Sequence, residues 1–149
     1  MAAGDLLTAN WQVELRTTLM GSTTNYPIRG LDGVSTVVPI VRKDVPKLLV
    51  DGVFQGTHTY GSRVITVTMD VVVTTAANLE TRMATLETAW AKATSDIFLC
   101  VQLGGVKKRC SGRVVEFDRP PLNPTEAVTF RCIGVRAQFE AGDPTWTTI

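Results

Sequence analysis

The stretch Arg63-Val-Ile-Thr-Val-Thr-Met-Asp-Val-Val-Val73 decides the fold class. Ile65, Val67, Met69, Val71 and Val73 fall on one face of an extended chain, while Thr66, Thr68 and Asp70 fall on the other. Such alternation marks a strand with one buried face. The run is long enough to cross a whole sheet. Composition agrees, because 19 Val and 21 Thr together make 40 of the 149 residues. Both are β-branched, stiff at χ1 and suited to a pleated surface.

Downstream the period changes. Ala76 to Ala93 (AANLETRMATLETAWAKA) sets Leu79, Met83, Leu86, Trp90 and Ala93 on one stripe, which predicts a helix. Asn78 or the Thr75 hydroxyl could cap its start, with Glu80 read as lying in the first turn, where the dipole favours an anion. Asp96 to Leu103 returns to strand, Gly104-Gly105 signals a hairpin, and Val106 to Phe117 pairs back. Pro120, Pro121 and Pro124 form a stiff connection. Ala127 to Phe139 reads as the last long strand. Its apolar parity switches between Cys132 and Val135, which predicts a β-bulge at Gly134. The tail, 142–149, is expected to leave the fold with Trp146 exposed.

Upstream the pattern is shorter. Trp11 to Met20 reads as a strand with Trp11, Val13 and Leu15 inward and Gln12, Glu14 and Arg16 outward. Tyr26 to Ile28 begins a second extended piece, broken by Gly30 and Asp32-Gly33, and Val34 to Val41 a third. Residues 42–62 read as a long loop punctuated by Pro46, Asp51-Gly52, Gly56 and Gly61. A loop of this length is usually functional, and Leu48-Leu49-Val50 within it calls for a surface to pack on, either its own core or a neighbouring subunit. The whole predicts one domain over 1–149: mainly β, an antiparallel β-sandwich with one flanking α-helix.

Charge and chemistry exclude several classes. Lys and Arg number 15 against 14 Asp and Glu, so a net charge of +1 gives no bulk attraction to nucleic acid or anionic membrane. Charged residues are 19%, below the usual roughly 25%, which fits a domain that keeps apolar surface for partners. Residues 1–10 lack the pattern of a signal peptide, and no run approaches the roughly 20 apolar residues of a membrane helix, so membrane insertion is not expected. Cys100, Cys110 and Cys132 form no CxxC pair and read as buried thiols of a reducing cytosol. His58 stands alone in the loop and reads as solvated. Lys107-Lys108-Arg109 reads as solvated charge at a hairpin tip. No nucleophile–base pair, metal cluster or phosphate loop is present in the sequence. We therefore expect no enzyme, catalytic residue, cofactor or metal, and place function in surfaces. Leu48, Leu49, Val50, Phe54 and Trp146 are the candidate subunit-interface residues.

Four segments then carry a likeness. Tyr26-Pro-Ile-Arg-Gly-Leu-Asp-Gly33, Val41-Arg-Lys-Asp44 followed by Asp51-Gly52 and Gly56, Arg63-Val-Ile-Thr-Val-Thr68, and Phe139-Glu-Ala-Gly-Asp-Pro144 occur in this order. Their order and spacing, from about Trp11 to Pro144, resemble the N-terminal ring-forming domain of the distal tail (minor tail) proteins of long-tailed bacteriophages, of the actinobacteriophage type. The resemblance implies a tail-tube-like fold. It implies a homo-oligomer of six copies in a ring at the tail tip, stacked on the tail-tube protein and below the tape-measure protein. Tail-associated hub and other minor tail proteins attach to such a ring, and DNA passes through its lumen. The protein would then belong to the virion, assembled in the host bacterial cytoplasm. A tail-tube or tail-terminator subunit is the alternative within that class. A small β-domain binding a peptide or sugar beside Trp146 is the alternative outside it.

Overall fold

A computed structural model describes residues 1–35, 38–121 and 130–149. The chain opens with β1 (Gln12–Leu15), β2 (Thr18–Gly21) and β3 (Ile28–Asp32), followed by four two-residue strands, β4 (Ile40–Val41), β5 (Val45–Pro46), β6 (Val53–Phe54) and β7 (Thr59–Tyr60). The long β8 (Arg63–Val72) leads to helix α1 (Ala76–Ala89), then β9 (Ile97–Leu103), β10 (Val106–Asp118), β11 (Arg131–Ala141) and β12 (Thr147–Thr148). The main sheet runs β2-β1-β9-β10-β11-β8-β3, with β12 added on β10, and its pairings are antiparallel.

β10 bends the sheet upon itself. Val106 to Gly112 pair with β9, and Arg113 to Asp118 pair with β11, so one strand serves both halves. Val13, Leu15, Leu99 and Val101 from one half meet Ile65, Val67, Met69, Ala137 and Phe139 from the other in a single core. The alternation expected of 63–73 holds, since Ile65, Val67, Met69 and Val71 are fully buried. The bulge expected at Gly134 is present: register shifts between Cys132 and Val135, and Gly134 has φ of +83°. Asp70 fixes it, with Oδ1 accepting from the Gly134 amide at 3.0 Å and Oδ2 from Arg29 Nε at 2.6 Å.

Helix α1 lies against β8 and β2, burying Leu79, Met83, Leu86 and Ala89. Thr75 is the cap, its hydroxyl accepting from the Asn78 amide at 3.2 Å. The helix stops at Ala89, short of the predicted Ala93, and Trp90 ends it with its indole donating to Met20 Sδ at 3.3 Å. Glu80 is not in the first turn; Glu80 and Glu87 instead accept from Arg119 at 3.0 and 3.1 Å, fastening the helix to the segment after β10.

Five expectations need correction. Residues 11–20 form a tight hairpin rather than one strand, because Arg16, at φ of +55°, turns the chain between β1 and β2. The faces of that hairpin also differ from the pattern: Trp11 is 62% exposed, whereas Gln12 and Glu14 are buried. Their side chains are covered by the N-terminal segment, as described below. Gly30 does not break β3, which absorbs it as an irregularity between Ile28 and Gly30. Of the strand expected over 34–41, Val34 and Ser35 are bent and Ile40–Val41 is extended, with 36–37 outside the described residues. The last strand begins at Arg131 and continues past Phe139 to Ala141; 127–129 of the expected strand lie outside the described residues.

Candidate functional site

Residues 38–62 form a narrow two-stranded ribbon projecting from the sheet, not the irregular loop expected. At its base Ile40 pairs with Tyr60 and Val41 with Thr59; further out Val45 pairs with Phe54 and Pro46 with Val53. The Lys47 amide donates to the Gly52 carbonyl at 3.1 Å, and Leu49 and Gly52 turn the chain with φ of +66° and +106°. Between the two ladders Asp44 acts as a clamp. Its Oδ1 accepts from the Gly56 amide at 3.1 Å and faces His58 Nε2 at 2.8 Å. His58 is therefore the carboxylate's partner rather than a solvated ring. These hydrogen bonds, His58 first and the Gly56 amide second, hold the Asp44 carboxyl below its ordinary value.

The ribbon buries almost nothing of its own. Leu48 and Leu49 are 88% and 104% exposed, Val50 and Phe54 are each 65% exposed, and Ile40, Val45 and Tyr60 are exposed as well. Lys47 lies over the Phe54 ring at 5.5 Å. Four of the five candidate interface residues are thus brought together at the outer end of one ribbon. Monomeric proteins rarely hold so many apolar groups in water on one projection.

Trp146 is placed elsewhere. The tail does not leave the fold: β12 pairs with β10, and Trp146 is half-buried against the core. Arg63 stacks on its ring at 5.8 Å and donates from Nε to the Pro144 carbonyl at 3.0 Å. The same guanidinium donates to the Gly33 carbonyl, so it ties the tail to the turn that precedes the ribbon. The expectation of an exposed Trp146 beside an open groove is corrected.

No group of three or more His, Cys, Asp or Glu that could hold a metal occurs among the described residues. Burial pushes the Cys100 thiol up to about 11 and the Cys110 thiol up to about 12, which makes both poor nucleophiles. Of the basic run, Arg109 stacks over Phe98 at 4.7 Å and Lys107 donates to the Gly4 carbonyl at 3.3 Å, so two of its three cations have partners within the fold. No helix among the described residues is long and apolar enough to cross a membrane.

The ribbon could have been found in the sequence. Val45-Pro46 and Val53-Phe54 flank the turn-forming Asp51-Gly52 at positions that allow pairing. The hold of Gln12 and Glu14 on residues 1–10 carried no such signal, because their partners are backbone amides.

The bent antiparallel sheet with its flanking helix has a counterpart among solved structures. The chain matches the crystal structure of Dit (gp 19.1) of SPP1 over 93% of its length, with a TM-score of 0.68 and 15% sequence identity. That protein is described as a paradigm of the hub adsorption apparatus in phages that infect Gram-positive bacteria. The chain spans about half of it, 52%. No protein-family model matches the chain, and no curated protein matches it in sequence.

Proposed function

We propose that this chain is a structural protein of a phage tail, and that copies of it close into a ring of six at the distal end of the tail tube, joining tube to tail tip. The observation that carries this reading is the likeness to SPP1 Dit across nearly the whole chain. The tail-tube protein, tape-measure protein and tail-associated hub proteins are the proposed neighbours in the virion, with DNA passing through the lumen. The ribbon is the proposed clasp between subunits, with Leu48, Leu49, Val50 and Phe54 buried on the neighbouring copy. Burying one such side chain contributes roughly 1.5–3 kcal/mol, enough for a few of them to hold a contact. Trp146 would serve from the body side, by stacking against Arg63, which holds the turn that precedes the ribbon.

Light scattering and negative-stain microscopy of the purified chain test the reading. A closed ring that stops at one layer or a pair of layers is the expected result. Long stacked cylinders would favour a tail-tube subunit instead, and a monomer at every concentration would count against self-assembly. Intact rings from a chain lacking residues 48–56 would remove the ribbon from the account.

A further inference from the structure

Residues 1–10 form a strap lying on the outer face of β1, held mainly by two side chains. The Glu14 carboxylate accepts from the Gly4 and Leu6 amides, each at 2.9 Å. The Gln12 side-chain oxygen accepts from the Thr8 amide at 2.8 Å and the Ala9 amide at 2.9 Å. Leu7 is the strap's buried apolar anchor. The seat is thus polar and accepts backbone N–H groups, so it recognises an extended segment largely through its main chain. Emptied, it would expose a carboxylate and an amide to water rather than strand them, so opening carries no orphaned buried group.

The joint at the strap's end is strained. Trp11 has φ of +63°, a left-handed conformation unfavourable for a bulky side chain, and this folds the strap back over β1. An extended Trp11 would relieve that strain and send the strap away from its own body. Strained joints of this kind favour exchange of a terminal segment between identical chains. We propose that in the assembled protein the strap of one copy seats on Glu14 and Gln12 of a second copy. The hydrogen bonds to Glu14 and Gln12 are then remade between chains, while those at the joint, from the Trp11 amide to the Gln102 carbonyl and from Ser22 Oγ to the Asn10 carbonyl, are given up as Trp11 extends. The inference does not depend on a phage assignment, since it concerns how two copies of this chain hold each other.

Cross-linking tests it with full-length protein. Ala3 and Phe98 line one cavity of about 380 Å³ beside the strap. The native cysteines are buried, and Cys100 and Cys110 have raised pKa values, so introduced thiols react first. Ala3→Cys chains are mixed with differently tagged Phe98→Cys chains, denatured and refolded together, then treated with a short bis-maleimide while mass is followed by light scattering. The expected result is a species of twice the chain mass carrying both tags, lost when either cysteine is omitted. Adding Glu14→Ala to the Phe98→Cys chain should lower its yield several-fold. The double variant Ala3→Cys, Phe98→Cys alone reports that the two sites are within reach. Linkage within that double variant, with no product between chains from the mixture, overturns the proposal. If the scattering shows rings in that same mixture, the ring reading stands while strap exchange falls.

Discussion

The carbonyl of Glu140 occupies the space where any residue but glycine at position 112 would place its Cβ. Gly112 is the point at which β10 passes from one partner to the other, so close approach there is a condition of the bend. Gly134 is the opposite case: its Cβ position is open, and only the φ of +83° resists a side chain. We expect Gly112→Ala to destabilise by about 3 kcal/mol through a clash that backbone must absorb. Gly134→Ala should cost only about 1 kcal/mol, the left-handed penalty alone. Urea unfolding of both variants checks the order. Asp44 makes a prediction about pH. Its folded pKa is depressed below the ordinary 3.8, so its contribution is fully present above that value and lost as pH falls through the folded value. Protection of the Gly56 amide against hydrogen exchange, taken relative to an unstructured amide at the same pH, should therefore fall as pH drops through the folded Asp44 value. Asp44→Ala should show the low protection at every pH.

Among elements, α1 and the ribbon show two different sources of order. The helix has no basic residue in its last turn, and the missing cation comes from the β1–β2 turn. Arg16 donates to the Thr88 carbonyl at 2.7 Å and the Ala91 carbonyl at 2.9 Å. Because the site is exposed, Arg16→Ala should cost only about 1 kcal/mol, or about 3 °C in Tm. Thermal unfolding measures it. The ribbon is held by its two short ladders and the Asp44 clamp, with its apolar tip in water. Replacing Leu48 and Leu49 with serine should leave monomer stability within about 0.5 kcal/mol, since neither side chain is buried. The same double variant should weaken assembly about 100-fold, the loss expected when roughly 3 kcal/mol of burial is removed from a contact. Chemical denaturation and sedimentation on one sample separate the two effects.

At the scale of the molecule, the sheet and helix form a well-buried body, and the ribbon extends from it with little support. Arg63 joins the two: it stacks on Trp146, holds Pro144 and reaches Gly33. Such a body suits a subunit that keeps its shape while an arm engages a neighbour. Long antiparallel strands with mostly non-local partners favour slow folding. The exposed apolar arm adds an aggregation hazard until it is covered. The purified chain should accordingly become more soluble when the ribbon tip is made polar.

Much of the body was legible because its causes are local. Alternation in Arg63 to Val73, the four-three spacing from Leu79 to Trp90, the Gly104-Gly105 turn and the parity switch at Gly134 each follow from which face of an element is apolar. The fold class and the apolar triplet at Leu48 to Val50 came from the same reading. The hidden features were set by partners distant in the chain or by backbone groups. Gln12 and Glu14 look solvent-facing by period, yet a strap of main-chain amides buries them. Trp146 looks exposed beyond the last strand, yet Arg63 and the pairing of β12 with β10 hold it against the core. Periodicity, turn chemistry and composition thus determined the elements and the mainly β class. Tertiary structure alone decided where the sheet bends, what covers β1 and how the ribbon projects, because a hydrogen bond from a backbone amide leaves no mark in the side chain that accepts it.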